Sequence, residues 1–278
     1  MNPAARYSGI AARHPVIAIA LALLAIFILA AAIANGRTLQ AIAYLAAIAL
    51  SVAAIDVILL KRPIPAKPTP VRHPQAELLI AFILFVVAFA WLWSHFVSNY
   101  TIPAPLLRLA AVSTIFNIPL AIALLMLRYS PAALGVRFRG FAPVPVVILC
   151  FGVLAAVFSP SSITIKEAAQ EAGSIWGGLL MGFGEAALPE EFFRFVWQTR
   201  AGACLNNRAA GWLIASILWA SLHLPKEYGD SHSLAASLTY VVSIIPLGLL
   251  WGYLTMRTRS ILPSILLHGA NLWGLQNV

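Results

Sequence analysis

The stretch Ala186-Leu-Pro-Glu-Glu-Phe-Phe-Arg-Phe-Val-Trp197 places two adjacent carboxylates and a guanidinium inside a segment otherwise apolar enough to lie in a membrane. A charge at the bilayer centre costs roughly 2.5–3.5 kcal/mol even on lenient insertion scales, so ionisable groups there mark functional sites by default. Glu190 and Arg194 are spaced i,i+4, and Glu191 and Arg194 i,i+3, so on a helix either acid can meet the same cation. A buried glutamate drifts towards neutral pKa and suits a general base, whereas a guanidinium beside it holds a carboxylate ionised. Two later apolar segments each contribute one histidine, His223 and His268, and Asn271 follows His268 by three residues, on the same helix face. Histidine orients a water, stabilises an oxyanion or ligates a metal; asparagine donates to a developing oxyanion. These are sufficient parts for hydrolysis of a peptide bond by an activated water.

The elements that must position these groups are membrane helices. Of 278 residues, 61% are hydrophobic and only 10% charged, where a soluble domain carries roughly 25% charged residues. Water-soluble readings are excluded. The net charge of +9 resides in short connections between apolar runs, the pattern that orients membrane helices and not a nucleic-acid footprint. Cys150 and Cys204 are far apart and form no CxxC spacing, so neither a disulfide framework nor a zinc-thiolate site is indicated. No HExxH, no GxSxG elbow and no phosphate-binding glycine loop is present.

A span needs about 20 apolar residues, and candidates run approximately over 16–35, 40–60, 77–97, 105–127, 142–158, 174–199, 209–223, 234–256 and 261–276. The expected fold is an all-α polytopic membrane bundle of eight or nine transmembrane helices, with the first helix retained. Basic connections alternate along it, at Arg6/Arg13, 61–75, 128–141, Arg200/Arg208 and Arg257/Arg259, which places the N-terminus and these loops in the cytoplasm; only Arg37 falls on the other side. The proline-rich basic stretch 61–75 reads as an extended linker between a two-helix N-terminal piece (1–75) and the remaining bundle (76–278). Residues 129–141 are placed at the membrane interface, with Arg137 and Arg139 towards the headgroups. Asp56, Glu77 and Arg108 lie near predicted span ends, where they would snorkel or sit at the interface. Counting ~1.5 Å per residue, Glu190 lies about 15 Å, His223 about 21 Å and His268 about 10 Å into their spans, depths that straddle the midplane. Trp197, Trp212, Trp219, Trp251 and Trp273 are read as packing or interfacial anchors, and Gly182 and Gly184 as close-packing positions.

These residues resemble the motifs of the CAAX prenyl protease and bacteriocin-processing/self-immunity family of glutamate-dependent intramembrane proteases. That family shows Glu-Glu-x-x-x-Arg, then Phe-x-x-x-His, then His-x-x-x-Asn/Asp on successive late helices. Here Glu190-Glu191-Phe-Phe-Arg194, Trp219-Ala-Ser-Leu-His223 and His268-Gly-Ala-Asn271 are similar, over a core of about 142–276. The first and third motifs are one residue short. Alignment on Arg194 puts Glu190 on the second family glutamate, alignment on the acids displaces Arg194, and Glu185 would be a substitute carboxylate. The resemblance implies that Glu190 or Glu191 activates water, that Arg194 and His223 hold the glutamates and the water, and that His268 and Asn271 stabilise the oxyanion. It implies a peptide or membrane-anchored protein substrate, a bacterial plasma-membrane location and no required cofactor. If a divalent metal such as zinc took part, Glu190, His223 and His268 would be its ligands. Two other readings stay open: an inactive relative serving immunity or scaffolding, and a transporter using the same acids as a proton relay.

Overall fold

The computed structural model describes residues 14–60, 71–97, 114–115, 117–158, 169–170 and 173–272. Their regular structure is helical throughout: α1 (Pro15–Ala34), α2 (Thr38–Ile58), α3 (Pro74–Val97), α4 (Ile118–Met126), α5 (Val144–Phe158), α6 (Ile175–Leu179), a π-helical segment (Leu180–Ala187), α7 (Leu188–Cys204), α8 (Arg208–Ser221), α9 (Leu224–Ser231), α10 (Leu234–Thr258) and α11 (Leu262–Leu272). Four of these, α1, α2, α3 and α10, are long and apolar enough to cross a membrane. The helix α5, also apolar, has 15 residues. At ~1.5 Å per residue it is shorter than a ~30 Å hydrocarbon core. The chain is a helical integral-membrane bundle.

Most expected spans coincide with a helix to within a few residues. The 174–199 segment is one continuous path of three pieces, α6, the π segment and α7. In 105–127 only α4 is a described helix; Arg108 and the linker 61–70 lie outside the described residues. The connection carrying Lys226, Glu227 and Asp230 is not a loop but α9, opened by Pro225 near its start and held by an i,i+4 Lys226–Asp230 pair at 2.8 Å. Tyr228 stacks on Trp93 of α3 at 5.4 Å between ring centroids.

The core has two apolar bodies. One joins α3, α4, the 129–134 turn and the Phe192–Trp197 face of α7. The other joins α2, α5, α10, Trp219 and Leu267. Helices α7 and α8 pack backbone to backbone. A Cβ added at Gly211 would fall 2.5 Å from both the Gln198 carbonyl oxygen and the Gly202 nitrogen. Small residues permit such approach between membrane helices. Because the obstacle is backbone, Gly211→Ala is expected to cost about 1–3 kcal/mol, read as a lowered unfolding temperature in detergent micelles.

Buried ion pairs fasten the periphery to this core, and they correct the reading of Asp56 and Glu77 as snorkelling residues. Glu77 is 1% exposed; it accepts from Tyr129 Oη at 2.7 Å and from Arg200 Nε at 2.9 Å. Asp56 accepts from Tyr253 Oη at 2.6 Å and lies 3.2 Å from Arg257 Nε. Arg257 also donates to the Leu59 carbonyl at 3.0 Å. Arg200 and Arg257 are therefore not loop charges; each is buried within a helix beside its acid. Breaking such pairs leaves an uncompensated charge, which is what makes them firm attachments. Outside the spans, burial and the bond to Glu77 push the Tyr129 phenol above its ordinary value. The 129–141 stretch folds as turns against the α10–α11 corner, where Ser260 Oγ donates to the Arg137 carbonyl at 2.5 Å.

Candidate active site

The site is built where the helical path changes pitch. Residues 180–187 (LMGFGEAA) form the π segment, and α7 resumes at Leu188 with Pro189 in its first turn. Proline lacks an N–H and its ring crowds the carbonyl four residues back. Among the described residues the wider turn precedes it directly, a device frequent at functional sites. Gly269 of α11 lets that helix run in contact with the π segment: a Cβ on Gly269 would fall 2.2 Å from the Phe183 ring. This brings His268, one residue earlier, opposite the first turn of α7.

Glu190 and Glu191 then take different surroundings. Glu191 is fully buried, and Arg194 grips both its oxygens: Nε donates to Oε1 at 3.2 Å and Nη2 to Oε2. Gln198 continues the chain of contacts, accepting from Arg194 Nη1 at 3.2 Å and donating to the Gly252 carbonyl at 3.2 Å. Gly252 is required there, because a Cβ would lie 2.6 Å from Arg194 Nη1. Glu190 is partly exposed and free of Arg194; its Oε2 accepts a hydrogen bond from Trp219 Nε1 at 2.5 Å.

His268, 2% exposed, stands between the two carboxylates. Its Nδ1 lies 3.3 Å from Glu191 Oε1, off the hydrogen-bond direction, and its Nε2 lies 3.6 Å from Glu190 Oε2. Trp251 stacks on the imidazole at 3.9 Å and 18°, and Trp219 meets it edge-on at 5.6 Å and 87°. A ring held between two indoles keeps its plane, so its two nitrogens stay directed at different acids.

Of the residues singled out in the sequence, Glu190, Glu191, Arg194 and His268 come together directly. His223 joins through Trp219: the rings meet edge-on at 4.9 Å, and His223 Nδ1 is 3.3 Å from the Trp219 carbonyl oxygen. Asn271, at the end of α11, is half-buried and its Oδ1 has no hydrogen-bond partner among the described residues. Glu185 is on the π segment, with its side chain outside the described residues. Gln198 was not foreseen, and Trp219, read as an anchor and as the first position of the second motif, was not foreseen as a donor to Glu190. The usable signal for Gln198 was its i,i+4 spacing from Arg194. For Trp219 it was a donor-bearing ring standing where the motif has phenylalanine.

Among the described residues no three His, Cys, Asp or Glu side chains are disposed to hold one ion, and His223 faces Trp219 and Tyr240 rings.

No curated protein and no solved structure matches the chain. The family model described as type II CAAX prenyl endopeptidase Rce1-like matches residues 171–273, the stretch from just before α6 to just past α11, which holds every residue of the cluster. Over that stretch the chain is similar to the Rce1-like type II CAAX prenyl endopeptidases.

Proposed function

We propose that the protein is an intramembrane endopeptidase in which Glu190 activates the attacking water. The supporting observation is the division between the two acids: Glu191 is neutralised by Arg194, while Glu190 is partly exposed, held at one oxygen by an indole N–H and 3.6 Å from His268 Nε2. A water within about 2.8 Å of Glu190 Oε2 and His268 Nε2 would be oriented by both. With the Glu191 carboxylate 3.3 Å from Nδ1 favouring a proton on that nitrogen, the neutral imidazole accepts one water hydrogen at Nε2, and Glu190 takes the other proton as the water oxygen attacks the scissile carbonyl carbon. Asn271 donates its amide N–H to the oxyanion. The protonated Glu190 then delivers its proton to the departing amine nitrogen as the C–N bond breaks. His223 buttresses Trp219, whose role is to hold Glu190.

The substrate is a peptide or membrane-anchored protein, the location is a bacterial plasma membrane, and the alternation of basic connections along the sequence assigns the N-terminus to the cytoplasm. Comparing peptide termini in membranes containing the wild-type protein with those containing Glu190→Ala at equal expression tests the reading. Termini formed only by the wild type support it; identical profiles from folded proteins refute Glu190 as the base. Trp219→Phe keeps a ring in place but deletes the donor. A hydrogen bond to a charged group contributes about 1.5–3 kcal/mol, so turnover is expected to fall about ten- to hundredfold, measured on the peptide so identified.

A further inference from the structure

Between the α1–α2 pair and α10 is a cavity of about 790 Å³. Its buried lining is apolar, from Ile28, Ala41 and Leu247, and its exposed lining carries Arg37. None of the ion pairs among the described residues involves Arg37. Its position just before α2 is not explained by capping, since no side-chain cap bond forms there. Both α1 and α2 are long and apolar enough to cross a membrane, so the cavity's walls face hydrocarbon, where its natural occupant is lipid. Buried walls that are apolar, less buried polar groups at Asn35, Gln40, Thr239 and Ser243, and one cation at the exposed end match an amphiphile with an acyl chain and an anionic head, because basic pockets between membrane helices bind such headgroups. A guanidinium is also the side chain best shaped for a phosphate.

We propose that this cavity binds an anionic phospholipid of the surrounding bilayer, one acyl chain along Ile28, Ala41 and Leu247 and its phosphate at Arg37. The α1–α2 pair lies outside the stretch that matches the family, so the site belongs to the combination of that pair with the core. Asn271 also lines the cavity, three residues after His268 on α11. The proposal does not depend on peptidase activity.

The test is native mass spectrometry of the purified full chain, delipidated in micelles and titrated separately with phosphatidylglycerol and phosphatidylcholine. Wild-type protein is expected to retain phosphatidylglycerol about fivefold more strongly, the preference one arginine near a headgroup supplies. Arg37→Gln, a change at an exposed side chain, is expected to equalise the two lipids without altering the unfolding temperature. Ala31→Phe, which adds a ring to the cavity wall, is expected to weaken both. Equal retention of the two lipids by wild type, an undiminished preference in Arg37→Gln, or unchanged binding in Ala31→Phe would each overturn the proposal.

Discussion

Glu190→Gln is expected to lower peptide hydrolysis by about 10²–10⁴-fold, the range that a positioned general base contributes, while the protein stays folded. Glutamine matches glutamate in shape, and its amide oxygen still accepts from Trp219 Nε1, the bond that fixes the native carboxylate at 2.5 Å. It cannot take a proton from water. Glu190 is partly exposed and makes no ion pair with Arg194, so stability is expected to change by no more than about 1 kcal/mol. The measurement is turnover of an identified peptide in proteoliposomes, alongside thermal unfolding of the same preparation. Full turnover in Glu190→Gln would move the base elsewhere. Glu191, gripped by Arg194 at both oxygens and fully buried, is closed to water in this arrangement, which would leave Glu185 as the acid to substitute next.

The parts of this site that were legible in the sequence share one property: they are costly where they occur. Glu190, Glu191, Arg194 and His268 stand out because nothing apolar in their segments accounts for them, and i,i+3 and i,i+4 spacings join the first three without knowledge of the fold. Trp219 has no such signature. An indole in an apolar helix looks like packing, and its partner Glu190 is 29 residues away on another helix. Distance in sequence also hid the Glu77–Arg200 pair, separated by 123 residues. Hydropathy put each member near a segment end and hence at the headgroups, whereas the two charges cancel inside the bundle. The π segment escaped for a different reason. Its eight residues, LMGFGEAA, are too few and too rich in small side chains for an apolar period to reveal the pitch.

That hidden pitch bears on the short spacing of the first motif. In a uniform helix, a cation three or four residues after an acid serves either glutamate. Here the path arrives at Pro189 from a π segment, and Arg194 engages Glu191. The free acid is then the one nearer the wide turn, beside Trp219 and His268 Nε2. The division of roles between the two glutamates follows from local backbone geometry together with the long-range donor, and neither was readable from spacing.

Arg194→Ala separates structure from chemistry at the same place. Removing one member of a buried pair strands the other, at a cost of about 3–5 kcal/mol, and Glu191 has its main charge partner in Arg194. Gln198 would lose its partner as well. A large fall in unfolding temperature is therefore expected, with loss of turnover. Replacing both members, as in Glu191→Leu with Arg194→Met, strands no charge, and exchange of a buried pair for apolar side chains is often neutral or stabilising. The double variant is expected to recover most of the stability. It should not recover turnover, because His268 Nδ1 then faces no carboxylate and the tautomer that presents Nε2 to the water loses its anchor. Thermal unfolding and turnover measured on all three proteins decide the matter. A double variant both stable and active would show that the Glu191–Arg194 pair serves only packing, leaving Glu190, Trp219 and His268 to work without it.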